Sequence, residues 1–290
     1  MELRQSRYPS DLTDQEWAIL APLMPQPSAA PHRPRENPWR EILNGIFYIT
    51  RAGCAWRMMP YDLPHWKTVY HYFRLWRKSG FLEQIHTTLR EQTRRKAGRL
   101  PEPSAGILDS QSVKTSGKRG VRGYDAGKKV KGRKRHLLVD TQGLVLGVKV
   151  LPAHLTDAEG GREVLEGARG LSKRLSHLFV DGGYKRRFEE WVRRTLGWTV
   201  EVVRRPDANF RGIWWPKDQP LPEDLEEEVR KRTRGHRGFV VIPRRWVVER
   251  TFAWLSFNRR LNRDYELLPE SSETFIHTAM IRLMVRRLAS

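Results

Sequence analysis

The apolar pattern changes period near residue 100, and that change limits the fold more than any other feature of the chain. Before it, apolar residues recur at helical spacing; after it, short apolar runs end in acids or turn residues. Thr13-Asp14-Gln15-Glu16 is a capping box, and Trp17, Leu20 and Met24 follow at helical spacing. Pro22, Pro25 and Pro27 end that helix, and 28–34 reads as a loop. Asn37-Pro38 is a second start signal, N-cap then N1 proline, with Ile42, Ile46 and Ile49 on one face and Gly53 as the stop. Within 62–78, Val69, Phe73 and Trp76 form a buried stripe, while Lys67, His71, Arg74 and Lys78 share another face. Ser79-Gly80 ends that helix, and Leu82, Ile85 and Leu89 begin another. A compact helical unit with one exposed basic helix is how helix-turn-helix DNA readers are built. An ordinary amphipathic helix with a solvated cationic face gives the same pattern, so this segment alone leaves both open.

Residues 98–106, with Pro101 and Pro103, read as a linker, which predicts a helical domain over 1–100 and a second domain over 101–290. Leu137-Leu138-Val139-Asp140 and the run 144–150 flank Thr141-Gln142-Gly143, a hairpin signal. Thr156-Asp157-Ala158-Glu159 is another capping box. A strand ending at Asp181, a helix over 186–196 and a strand over 199–203 follow. This order predicts an α/β domain with a mixed sheet. Residues 204–238 read as an insertion before a last strand, 239–242; its acidic run, 223–228, suits a solvated helix face.

The chain of 290 residues carries 54 Lys and Arg against 33 acids, a net charge of +21. Such a field favours polyanionic partners, nucleic acid above all. No apolar stretch of about 18 residues occurs, which excludes a spanning helix on length. The first residues lack the apolar core of a signal peptide. Cys54, the single cysteine, rules out an intramolecular disulfide and a multi-cysteine zinc site, so a reducing cytoplasm is expected.

Three acids sit where such a protein would place chemistry. Asp109 ends the run Gly106-Ile107-Leu108, Asp181 ends Leu178-Phe179-Val180, and Glu249 lies in a helical pattern beside the stripe Val248, Phe252 and Leu255. Strand ends converge on one edge of an open sheet, so Asp109 and Asp181 can meet there, with Glu249 at the margin between core and solvent. Clustered carboxylates repel unless cations bind between them, and Mg²⁺ takes carboxylates together with phosphate oxygens. The plain alternative is a turn at Asp181-Gly182-Gly183 and a pair between Glu249 and Arg245. After Asp109 comes a basic stretch holding Lys114, Lys118, Arg119, Arg122, Lys128, Lys129, Lys131, Arg133, Lys134 and Arg135, with Asp125 its one acid. Interspersed glycines would let its backbone approach phosphates. On the closing helix, Arg245 and Arg250, with Arg259 and Arg260 beyond, would place positive charge near Glu249, while Trp246 and Trp254 suit the core.

Three blocks of this sequence resemble the DDE transposases of bacterial insertion sequences, family five and its family-four-like relatives. They are Asp109 to Lys114 with Tyr124 to His136, Val180 to Tyr184, and Arg245 to Arg250; the stretch Asp62 to Trp66 resembles that family's end-binding region. The resemblance implies an RNase H-like core behind a small helix-turn-helix-like domain. It further implies two Mg²⁺ ions, with Mn²⁺ as a substitute, and binding to terminal inverted repeats and target DNA. By that match Asp109, Asp181 and Glu249 are the catalytic, metal-holding triad. Expected DNA contacts are Lys114, Lys128, Lys129, Lys131, Arg133, Lys134, Arg135, Arg245, Arg259 and Arg260, with Lys67, Arg74 and Lys78 on the basic helix. The family's Tyr-Arg-Glu-Lys signature is incomplete: Arg245 fits, but Ile242 and Ser256 hold the Tyr and Lys positions, leaving Arg259 or Arg260 to replace the lysine. Trp214 or Trp215 stacking on an extruded base is a further expectation, beside plain packing. A homodimer would join two element ends. A catalytically silent repressor and a structure-specific nuclease are the rival readings.

Overall fold

The computed structural model describes residues 7–26, 36–116, 120–170, 173–184, 186–203, 227 and 243–290. The expected insertion with Trp214 and Trp215, the strand at 239–242, and Lys118 and Arg119 lie outside the described residues.

Four helices open the chain: α1 (Asp14–Leu20), α2 (Trp39–Ala52), α3 (Trp66–Ser79) and α4 (Phe81–Lys96). The capping box of α1 forms as expected, with Thr13 accepting from the Glu16 amide and Glu16 returning the bond. α2 starts one position later than its sequence signal, because Pro38 takes the extended N-cap position. Gly53 stops α2 at φ +74, a left-handed conformation that costs glycine little. The stripes fall inside: Ile42, Ile46, Ile49 and Val69 are fully buried, with Phe73, Trp76, Leu82, Ile85 and Leu89 close behind.

The sheet is built from β1 (Ala105–Lys114), β2 (Gly123–Asp125), β3 (Val130–Asp140), β4 (Val145–Pro152), β5 (His177–Asp181) and β6 (Thr199–Val203). β3 runs antiparallel between β1 on one side and β4 on the other, with β2 extending the outer side past the end of β4. β5 joins the free side of β1 in parallel, and β6 joins β5 in parallel. Parallel neighbours need crossovers, supplied by α5 (Asp157–Ala168) and α6 (Arg186–Leu196). Where a linker was expected, β1 already begins at Ala105; a Cβ on Gly106 would lie 2.8 Å from the Leu138 side chain.

Alternation divides the core in two. Leu108, Leu138, Leu146 and Val180 pack under α5 and α6 with Val164, Leu165, Phe188 and Val192. Ile107, Leu137, Val139 and Phe179 face the other way, toward α7 (Pro243–Ser256) and α8 (Pro269–Ala289). α8 packs on α1, α2, α4 and β4, so one continuous core joins the N-terminal helices to the sheet. No helix among the described residues is long and apolar enough to cross a membrane.

Candidate active site

The register of β1 against β5 decides which acids meet. Gly106 pairs with Leu178 and Ile107 with Phe179, and the pairing ends there, with Asp109 and Asp181 each two positions further along its strand. Both share the parity of Ile107 and Phe179 and open into a small cleft lined also by Val203, Arg245 and Val248. Burial pushes the Asp109 carboxyl up to about 7; the Ser110 amide pulls it down, Asp181 pushes further up, and Arg245 and Lys128 oppose. Asp109 Oδ1 accepts the Ser110 amide at 2.7 Å, and Asp181 Oδ1 accepts the Gly183 amide at 2.9 Å. The second oxygen of each carboxylate has no protein donor among the described residues.

Glu249 stands beside the cleft rather than in it. On α7, Val248 and Leu255 are buried, Phe252 nearly so, and the Thr251 hydroxyl donates to Gly143 O at 2.8 Å, which fastens the helix to the β3–β4 turn. Glu249 falls one step around from that face and pairs with Arg245 at 3.1 Å, both side chains part-exposed. Among the described residues no three metal-ligating side chains converge on one point. Mutual repulsion of like charges gives a physical reason for the third acid to sit with its arginine.

The basic stretch is only half a loop. Lys114, Lys128, Lys129 and Lys131 are exposed, as expected of phosphate contacts. Lys128 reaches Ser110 O at 3.4 Å, next to Asp109, and Asp125 Oδ1 holds its amide at 3.0 Å. Arg133, Lys134 and Arg135 instead belong to β3 and are buried, at 1, 6 and 1 % exposure. Arg133 bonds Asp264 Oδ1 at 3.1 Å and the carbonyls of Val121, Glu266 and Leu267. Arg135 donates to Leu261 O, and burial draws its guanidinium down to about 10, with Asp264 opposing. Lys134 donates to Leu155 O and pairs with Asp157, so the side chains of all three are engaged within the protein.

Arg260 likewise lies off α7, in a short 3-10 turn (Arg259–Leu261), held by Glu266 at 2.7 Å and Cys54 O at 2.8 Å; Arg259 is exposed. Trp246 is 39 % exposed, against the expectation of core, and Trp254 is half-buried under the guanidiniums of Arg250 and Arg287. On α3, Lys67, His71, Arg74 and Lys78 form an exposed face, as their spacing predicts. Sequence reasoning missed Asp157. Its capping box marked a helix start, and nothing in the spacing showed that its carboxylate meets Ser110.

Residues 100–284 match the family described as "Transposase DDE domain". The chain belongs to that family. Residues 12–86 match a second model, "Putative transposase of IS4/5 family". A curated relative from Burkholderia cepacia, "Insertion element IS402 uncharacterized 16.2 kDa protein", is 27 % identical over 114 residues, covering 37 % of this chain and 74 % of the relative. No solved structure matches. The DDE transposase domain is RNase H-like, and the mixed sheet with flanking helices described above agrees with it. Membership implies DNA binding and a nuclease or transposase activity, and enzymes of this kind generally use divalent metals.

Proposed function

We propose that this DDE transposase binds the terminal inverted repeats of an insertion sequence and cleaves and transfers DNA strands there, with Asp109, Asp181 and Glu249 as its catalytic carboxylates. The observation that carries the proposal is that Asp109 and Asp181, on adjacent parallel strands, line one cleft. The donor set fits a hard divalent cation: two carboxylates share one cleft, each with an oxygen unbonded, and the buried Asp109 is held up to about 7. Glu249 can join them by leaving Arg245, which frees that guanidinium for a phosphate oxygen. Two Mg²⁺ ions, or Mn²⁺ in their place, would supply an activated water or 3′-hydroxyl and stabilise the leaving oxygen.

The protein's own residues hold the DNA. Lys114, Lys128, Lys129, Lys131 and Arg259 display positive charge for the backbone, and Lys67, Arg74 and Lys78 present α3 to the repeat. Arg133, Lys134, Arg135 and Arg260 support the scaffold from inside. Cutting two ends together calls for a dimer on DNA.

Incubating the full-length protein with a duplex carrying its element's terminal repeat, with and without Mg²⁺, tests the proposal. Nicking at the repeat boundary that needs metal and is lost in Asp181→Asn is the expected result. Specific binding without cleavage under Mg²⁺ or Mn²⁺ would favour the repressor reading, and cleavage indifferent to the repeat sequence the nuclease reading.

A further inference from the structure

Behind the cleft, on the opposite face of the sheet, a polar layer interrupts the core under α5. Leu108 and Leu138 point into that core, but two positions along each strand Ser110 and His136 take their places, with Lys134 beyond. Ser110, Lys134 and His136 are 7, 6 and 0 % exposed, and neither nitrogen of His136 has a partner among the described residues. α5 makes room with two adjacent glycines. A Cβ on Gly160 would lie 2.2 Å from His136 Nε2, and one on Gly161 2.9 Å from the Tyr184 ring. Glycine inside a helix costs about 1 kcal/mol relative to alanine, so the layer is kept against a local penalty.

Asp157, in the first turn of α5, is the hub of this layer. Its Oδ1 accepts the Ser110 hydroxyl at 2.6 Å and lies 3.0 Å from Lys134 Nζ. Lys134 is held in turn by Leu155 O at 2.9 Å, with Asp125 at 3.7 Å. Ser110 is also the residue whose amide donates to Asp109. The other oxygen, Asp157 Oδ2, lies 3.7 Å from the Cβ position of Gly183, and Asp181 Oδ1 lies 3.0 Å from the same point, so the two oxygens are at most 6.7 Å apart (3.7 + 3.0). Tyr184 supplies an independent sign that the layer serves the site. Tyr184 is 1 % exposed and its hydroxyl has no partner among the described residues; burial above all, then the charges of Asp109, Asp157 and Asp181, holds its phenol well above the ordinary range. A buried hydroxyl donor without a partner is costly to keep, which calls for an explanation at this position.

We infer that Asp157 is a positioning residue of the active site, fixing the Asp109 carboxylate through Ser110, with its second oxygen in the neighbourhood of Asp181 around Gly183. This rests on the roles proposed above for Asp109 and Asp181. The plain alternative is an acid at a helix start, which stabilises the helix and does nothing more. The two differ in what they move. A helix-start acid changes the melting temperature, whereas a positioning residue changes metal affinity and the cleavage rate while leaving DNA binding alone.

The test compares full-length wild type with Asp157→Asn, Asp157→Ala, Ser110→Ala and the Ser110→Ala/Asp157→Ala double variant. Three readouts are needed: Mn²⁺ affinity of the DNA-free protein by calorimetry, affinity for the repeat duplex, and the single-turnover rate of nicking. Asp157→Ala should weaken Mn²⁺ binding or slow nicking by about 10–100-fold, the usual effect of losing a partner behind a ligand. Repeat affinity should stay unchanged, and Asp157→Asn, which keeps an acceptor for Ser110, should recover part of the loss. Because both residues act along one chain, the double variant should be no worse than Asp157→Ala. If Asp157→Ala does not fold, Asp157→Asn and Ser110→Ala carry the same comparison. Variants matching wild type in Mn²⁺ affinity and rate, or losses that multiply in the double variant, would overturn the inference. Wild type that neither binds Mn²⁺ nor nicks would overturn the site reading itself, and this role with it.

Discussion

Lys128, Lys129 and Lys131 stand next in sequence to Arg133, Lys134 and Arg135, yet the first three are exposed and the second three buried. The boundary is Gly132, where a Cβ would lie 2.0 Å from Val113 O, so β3 passes hard against β1 there. Before that point β3 pairs only with β2, at the rim of the sheet; after it, β1 and β4 flank it on both sides. A charge run is thus one object in the sequence and two in the fold. The outer part adds to the field that DNA meets, while in the inner part Arg133 and Arg135 tie β3 to the segment after α7 and Lys134 turns to Leu155 and Asp157.

The largest effect that could break this contrast is in Arg133→Ala. It strands Asp264 in the interior and should destabilise the protein by about 3–5 kcal/mol in urea unfolding. A stable variant with weakened DNA binding would show that Arg133 belongs with the outer group. Gly160→Ala should come next, at about 1–3 kcal/mol, because the new methyl meets the buried His136 ring. A gain in stability instead would mean that the polar layer has slack.

Asp109→Asn sharpens the comparison from the acid side. The folded carboxyl sits at about 7 against an ordinary 3.8, so the protonated form is favoured by folding. That contribution is fully present below pH 3.8 and is lost as pH rises through about 7. In the absence of metal, the variant should gain stability relative to wild type across that window and hold a constant advantage above it. Thermal melts from pH 4 to 9 check the sign, and added Mg²⁺ should shrink the advantage. The smallest effect is expected for Lys131→Gln: stability within about 0.5 kcal/mol of wild type, with the log–log salt slope of duplex binding reduced by about 1.

The N-terminal helices were legible because each has one wet face. Thr13, Thr156, Gly53 and Gly80 act as the caps and stops their positions suggest. Asp109 and Asp181 could be found because apolar runs ended at them. α8 gave no such signal. Ser272, Phe275, Ile276, Ala279, Met280, Met284 and Val285 are all buried, and the helix packs against elements on several sides, so its sequence lacks a single stripe. The burial of Arg133 and Arg135 was equally unreadable, since it depends on carbonyls contributed from 121 and from 261–267. Asp157 was hidden by a local role that it also fulfils.

The position of α8 has a consequence for how the enzyme would measure DNA. Because α8 is wedged between the first helices and the sheet, the α3 surface and the Asp109 edge are carried on one packed body rather than on two modules joined by a tether. A tether would tolerate a range of spacings between recognised sequence and scissile phosphate; a packed body works as a fixed gauge. Duplex DNA turns once in about 10 base pairs, so roughly 5 extra base pairs inside an element end would rotate the phosphate to the far side of the helix. The length of the end sequence, and not only its letters, would then be written into the protein core.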